Sequence, residues 1–194
     1  MQLSDTDIKR GMDRSEIFIE PYDENRLQSA SYDVLLGNEF FIFDKHKIQV
    51  IDPKLNLELH MTKVKVKDDD KFILHPNQFA LGVTKDKIGV DDAHSCQIDG
   101  KSSMARFGLI VHTTAGYIDP GNNLCITLEL YNCNSVPIIL YPSMKIAQMR
   151  FYRLLTPSTR PYGTKGLNSK YFGATGIQAS QMHKNWGAGD WQGN

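Results

Sequence analysis

Apolar residues in this chain fall mostly in short runs broken by Gly, Pro, Asn and Asp, the pattern of many brief strands rather than of long amphipathic helices. Ile17-Phe18-Ile19 predicts a strand. Ser31 to Asn38 predicts a second strand ending in a turn, with Glu39 to Phe43 returning as its hairpin partner. Phe72-Ile73-Leu74 and Phe79 to Thr84 predict strands around a Pro76-Asn77 turn. Val136 to Leu140 and Met144 to Phe151 predict two more, with Tyr141-Pro142-Ser143 as the turn between them. One helix is signalled: Ser4, with Asp7 three residues on, reads as an N-cap before a short helix ending near Asp13. From Lys45 to Asp70 the pattern is poor, and Lys67-Asp68-Asp69-Asp70-Lys71 reads as a solvated loop. The fold class expected is mainly β, a sandwich or barrel with little helix. From Thr156 onward Pro, Gly, Ser, Thr and Asn dominate, and the stretch Trp186 to Trp191 is either a loose end or an arm ordering over a site. The division expected is therefore a β domain over residues 1–156 and a C-terminal tail over 157–194.

The stretch Gln97 to Asn132 carries charge where a purely structural chain has no need of it. In Gly100-Lys101-Ser102-Ser103-Met104-Ala105-Arg106, Ser102 as cap of a helical turn would leave backbone N–H groups facing an anion, and Arg106 returns to its side one turn later. Ile126 to Tyr131 alternates, so a strand there places Ile126, Leu128 and Leu130 on one face and Thr127, Glu129 and Tyr131 on the other. Thr114 to Gly121 reads as strand then turn, with Asp119 at its rim.

Composition narrows the classes. A chain of 194 residues with 41% hydrophobic positions supports one domain with a real core. Lys+Arg and Asp+Glu both number 22, a balance that argues against binding a nucleic-acid polymer but leaves room for a small anion on a local cluster. Cys96, Cys125 and Cys133 have no CxxC spacing and fit free thiols in a reducing cytoplasm. No run is long enough to span a membrane, and MQLSDTDIKR has no signal-peptide core.

A carboxylate, a guanidinium, two hydroxyls and a turn Asp suit hydrolytic attack by water. Glu129 serves as base if burial raises its pKa, and Arg106 holds developing charge or a phosphate. The H-x-E…P-C-x-x-C signature of zinc deaminases is absent, so a deaminase reading proceeds without protein-bound metal. Each feature also has a plainer reading: Glu129 as a solvated face residue, Ser102-Ser103 with Arg106 as a capped turn with a surface ion pair, His112 as a packed histidine, Asp119-Pro120-Gly121 as an ordinary turn.

GKSSMARFGL, HTTAGYIDPG, ITLELYN, MKIAQM and RPYGTKGLNSKY, with SASYDVLLGNEF earlier, resemble the dCTP deaminase family, which shares its fold with trimeric dUTPases. The likeness covers most of the chain in order and is weakest from about Lys45 to Lys71. It implies a homotrimer of distorted β-barrels with short helices and a C-terminal arm, active sites at subunit interfaces, and dCTP converted to dUTP without zinc. Mg2+ comes with the triphosphate, and dTTP is the implied inhibitor. By position, the resemblance makes Glu129 the general acid/base and Ser102 and Arg106 its helpers. Lys101, Ser102, Ser103, Met104, Ala105 and Arg106 form the nucleotide-binding motif. Asp119 lies near the deoxyribose, Thr127 and Leu128 contact the base, and Tyr162 and Lys170 close over the triphosphate.

One branch of that family is bifunctional, carrying dCTP through to dUMP with release of ammonia and diphosphate. Gly116-Tyr117 resembles its turn, where single-function members carry His-Arg, and Gln148 matches its glutamine. A smaller turn there would let water reach the α-phosphate. The rivals are a deaminase releasing dUTP, a dUTPase alone, and a nucleotide-sensing trimer without turnover. The tail departs from the family: Ala174 stands where a nucleotide-binding Gln is usual, Phe172 and Thr175 also differ, and Gln178 is out of register to replace it.

Overall fold

The computed structural model describes residues 1–186. Thirteen strands dominate it: β1 Ile17–Glu20, β2 Leu27–Gln28, β3 Ser31–Leu35, β4 Glu39–Phe43, β5 Met61–Lys65, β6 Phe72–Leu74, β7 Phe79–Val90, β8 His94–Gly100, β9 Leu109–Ile110, β10 Tyr117–Ile118, β11 Asn123–Asn132, β12 Ile138–Leu140 and β13 Lys145–Arg153. The α-helices among the described residues are α1, Asp5–Asp13, and α2, Ser102–Ala105. The architecture is mainly β. One sheet runs β5-β4-β7-β11-β9 with β1 also on β7, a second runs β10-β8-β13-β3-β2, and β6 pairs with β12. Leu128, Leu130, Met149, Phe151 and Val34 are fully buried between the sheets. Burying such side chains contributes about 1.5–3 kcal/mol each.

Local chemistry explains the elements the pattern predicts. Ser4 caps α1: its hydroxyl accepts from the Asp7 N–H at 3.3 Å, and the Asp7 carboxylate accepts from the Ser4 N–H at 3.3 Å. On β11 every second residue is buried, with Ile126, Leu128 and Leu130 inward and Thr127, Glu129 and Tyr131 on the other face. The β11–β7 register slips between Cys125, opposite Lys87, and Thr127, opposite Val83. The surplus on β7 forms a bulge that Thr84 closes, donating to the Asp86 carbonyl and accepting from the Ile126 N–H, both at 2.8 Å. The bulge turns Asp86 inward, where it is fully buried. There it accepts from Arg26 at 2.7 and 2.8 Å and from the Leu35 N–H at 2.8 Å, tying the two sheets together.

Four expectations need correction. β3 and β4 are not a hairpin: β3 pairs with β2 and β13, while β4 pairs with β5 and β7. The chain changes sheet at Leu36-Gly37, whose N–H groups donate to Met144 at 2.9 Å and Val83 at 2.7 Å. Likewise β6 pairs with β12 rather than β7. The poorly patterned region contains an edge strand, β5, paired with β4 along its whole length. Ser102 is not a cap: Lys101 takes that position, without a side-chain bond to the helix, and Ser102 is the first helical residue.

After β13 no strand follows among the described residues. The arm runs back over its own six-stranded sheet, burying Ile177 and Ala179 against Phe41, Met61, Leu81 and Val83. Of the Trp186–Trp191 stretch, only Trp186 lies within the described residues.

Candidate active site

The face of β11 turned away from the main core looks into a cavity of about 720 Å³. Thr127 and Glu129 form its floor, Tyr117 and Asp119 one rim, and Phe43, Met61, Phe79 and Leu81 an apolar wall. Register explains the wall: Leu81 is the cross-strand partner of Glu129, Phe79 of Tyr131, and Phe43 of Met61. The arm supplies the remaining side through Tyr162, Tyr171, Ala174 and Gln178.

Glu129 is the only acid of β11 and is partly buried. Burial pushes its pKa above the ordinary carboxylate range; the Thr113 N–H and the His112 ring pull it partly back. That N–H donates to Glu129 Oε2 at 3.3 Å. His112 has a buried Nδ1 with no protein partner. Its ring lies against Gly116, where a Cβ would come within 2.8 Å of His112 Cε1 and 2.7 Å of the Ile98 carbonyl oxygen. Gly116 is therefore required by close approach, and its carbonyl accepts from the Ile98 N–H at 2.8 Å.

Backbone contacts seat the arm. The Tyr162 N–H donates to the Pro120 carbonyl at 2.7 Å, the Cys125 N–H to the Ala174 carbonyl at 2.7 Å, and the Gln178 N–H to Thr127 Oγ1 at 3.1 Å. Tyr162 and Tyr171 hydroxyls accept from the N–H groups of Tyr171 and Gln181 at 3.1 and 3.0 Å. Gly121, at φ +82°, lets the arm pass; a Cβ there would meet Pro161 at 2.6 Å.

The residues singled out from sequence divide into two groups. Tyr117, Asp119, Thr127, Glu129 and Tyr162 line the cavity. Lys101 to Arg106 and Gln148 do not: α2 packs against β9 of the six-stranded sheet, while Lys101 and Gln148 sit at the five-stranded sheet. There Lys101 pairs with the buried Asp33, which Lys145 also approaches at 3.3 Å. Gln148 accepts from Ser31 Oγ at 3.3 Å and donates to the Gly100 carbonyl at 3.4 Å. Ser102, Ser103, Ala105 and Arg106 are exposed, and Met104 is buried in the core. Leu128 is also core, so its side chain faces away from the cavity. Lys170 is half-exposed and outside the cavity wall. Sequence reasoning missed the apolar wall and gave no role to Tyr171, although it is the last residue of the RPYGTKGLNSKY motif. Among the described residues no three His, Cys, Asp or Glu side chains cluster as metal ligands.

This sheet arrangement is that of the dUTPase-like fold class, two facing antiparallel sheets with a C-terminal arm. It superposes on the crystal structure of a 2'-deoxycytidine 5'-triphosphate deaminase from Agrobacterium tumefaciens with a TM-score of 0.61, at 18% identity, over 77% of this chain and 46% of that one. Residues 2–154 match the family model described as dCTP deaminase-like. The chain belongs to the dCTP deaminase-like family. It is 43% identical to a protein of Beutenbergia cavernae, over 94% of this chain and 95% of that relative. It is also 43% identical to one of Corynebacterium jeikeium, over 96% and 99%. Both relatives carry the name dCTP deaminase, dUMP-forming.

Proposed function

We propose that this protein hydrolyses dCTP to dUTP and ammonia without zinc, then hydrolyses dUTP to dUMP and diphosphate, supplying dUMP for thymidylate synthesis in the cytoplasm. The observation that carries the reading is Glu129, a carboxylate with a burial-raised pKa on the floor of a nucleotide-sized cavity. The names of the near-full-length relatives support both steps.

In the first step Glu129 takes a proton from water as the oxygen bonds to cytosine C4. Glu129 returns that proton to the amino nitrogen of the tetrahedral adduct. The C4–N bond then breaks and the nitrogen leaves as ammonia, and the second water proton passes from the C4 hydroxyl to N3 to give the 4-oxo base. A base with pKa raised towards neutrality suits both transfers. Ser102 and Arg106 hold the water and the developing charge, and Lys101 to Arg106 with Gln148 receive the triphosphate. Asp119 lies at the sugar and the phosphate-side water, Thr127 and the Leu128 backbone at the base, and Tyr162 and Lys170 close the arm. The small Gly116-Tyr117 turn leaves a path for water to the α-phosphate. Mg2+ bound to the triphosphate offsets its charge.

Homotrimerisation fits this division of residues. One chain offers a cavity with an acid but without the α2 cations, and an α2 segment without a cavity. Docking one copy's α2 against the next copy's cavity unites them. dTTP, with the same triphosphate, is the expected inhibitor.

Incubation of the protein with dCTP and Mg2+, with products resolved by chromatography and ammonia measured, tests the proposal. The expected products are dUMP, diphosphate and ammonia. Accumulating dUTP leaves a deaminase alone, diphosphate from dUTP without ammonia from dCTP leaves a dUTPase, and no turnover leaves a binder.

A further inference from the structure

The arm brings a polar side chain into the cavity that the chemistry above does not use. It runs alongside β11 in the same direction: residue 174 is bonded at the level of Cys125, residue 178 at Thr127. Gln178 therefore lines the cavity beside the stretch Thr127–Glu129. It is pinned there by its own N–H on Thr127 and by the burial of Ile177 and Ala179 on either side.

The side-chain amide of Gln178 has a partner behind it. Its Oε1 accepts from Gln181 Nε2 at 2.6 Å, while Gln181 Oε1 is buried without a partner. A primary amide has a donor end and an acceptor end of nearly equal size. Turning both amides over keeps one bond between them, now from Gln178 to Gln181, and leaves one buried Gln181 atom unpaired as before. The count of hydrogen bonds is unchanged, but Gln178 offers C=O to the cavity in place of NH2.

A ligand that inverts its own pattern needs such a group. Cytosine presents an amino donor at C4 and an acceptor at N3; uracil presents an oxo acceptor at C4 and a donor at N3. We propose that Gln178, backed by Gln181, is a specificity-determining residue that contacts the C4–N3 edge of the base and reverses its amide between dCTP and dUTP. This rests on the two-step reading given above.

Separate kinetics on dCTP, read as ammonia, and on dUTP, read as diphosphate, provide the test. Gln178→Ala loses one hydrogen bond to either base and raises both KM values about tenfold, with kcat within about threefold. Gln178→Glu has the same shape, and at about pH 8 its carboxylate only accepts. It keeps the KM for dCTP within about threefold and raises that for dUTP more than about tenfold. Protease cleavage of the arm at the wild-type rate confirms that both variants dock it. KM values within twofold of wild type for Gln178→Ala overturn the contact. An equal rise on both substrates for Gln178→Glu overturns its placement at the base edge. A wild-type protein that releases no ammonia from dCTP refutes the two-step reading instead.

Discussion

Gly116→Ala probes how the turn before β10 controls the acid. The added Cβ would lie 2.7 Å from the Ile98 carbonyl oxygen and 2.8 Å from His112 Cε1. The carbonyl belongs to β8, whose Ile98 N–H also grips the Gly116 carbonyl at 2.8 Å, so the His112 ring or the turn itself must give. Overpacking of this kind costs about 1–3 kcal/mol. At about 2–4 °C per kcal/mol for a chain of this length, Tm falls by roughly 2–12 °C. The ring's displacement moves the next residue, Thr113, whose N–H donates to Glu129 at 3.3 Å and lowers its pKa. Losing that bond removes about 1 kcal/mol of support from the carboxylate and allows its pKa to climb further. Because the base must be ionised to take a proton from water, the acid limb of the kcat–pH profile moves to higher pH, and kcat at neutral pH falls several-fold. Thermal unfolding and ammonia release across pH measure both. A variant with unchanged Tm and an unmoved acid limb would refute the coupling.

Glu129→Gln abolishes ammonia release while dCTP binds within a few-fold, as isothermal titration would show; residual turnover near wild type removes Glu129 as base. The same variant tests the sign of its titration. A raised carboxyl pKa contributes stability fully present below the ordinary carboxylate range and lost as pH rises through the raised value. Glu129→Gln therefore melts at or above the wild-type temperature at neutral pH, and this advantage disappears in acid. Arg26→Met strands the fully buried Asp86 without its cation and lowers the free energy of unfolding in urea by about 3–5 kcal/mol; a loss under about 1 kcal/mol contradicts the clamp. A chain ending at Thr156 keeps a cooperative unfolding transition, because Ala174 is the arm's sole contribution to the main core among the described residues. Its KM for dCTP rises at least about tenfold; an unchanged KM makes the arm dispensable.

Signals confined to a few neighbouring residues were legible in the chain. The Ser4–Asp7 box closes within one turn, and the alternation of β11 needs only the period of a strand, so Glu129 was placed on the face that meets the cavity. What depends on partners far along the chain was not legible. β3 and β4 have the sequence of a hairpin, yet Leu36 and Gly37 donate hydrogen bonds to Met144 and Val83 and carry the chain from one sheet to the other. β5 hides among lysines because it is an edge strand with little to bury. Phe43, Met61, Phe79 and Leu81 look like ordinary core residues until pairing ranges them beside Glu129. Leu128 and Met104, which the resemblance sets beside the nucleotide, pack their side chains into the core, so only their backbone groups are left to meet a ligand.

The lid and the floor of the cavity belong to one polypeptide. Folding the arm down is thus a unimolecular event with a fixed effective concentration, whatever the amount of protein in solution. Diluting the enzyme leaves that equilibrium untouched. Under the trimeric arrangement proposed above, a specific activity that falls on dilution would report separation of subunits and the departure of α2 independently of the arm.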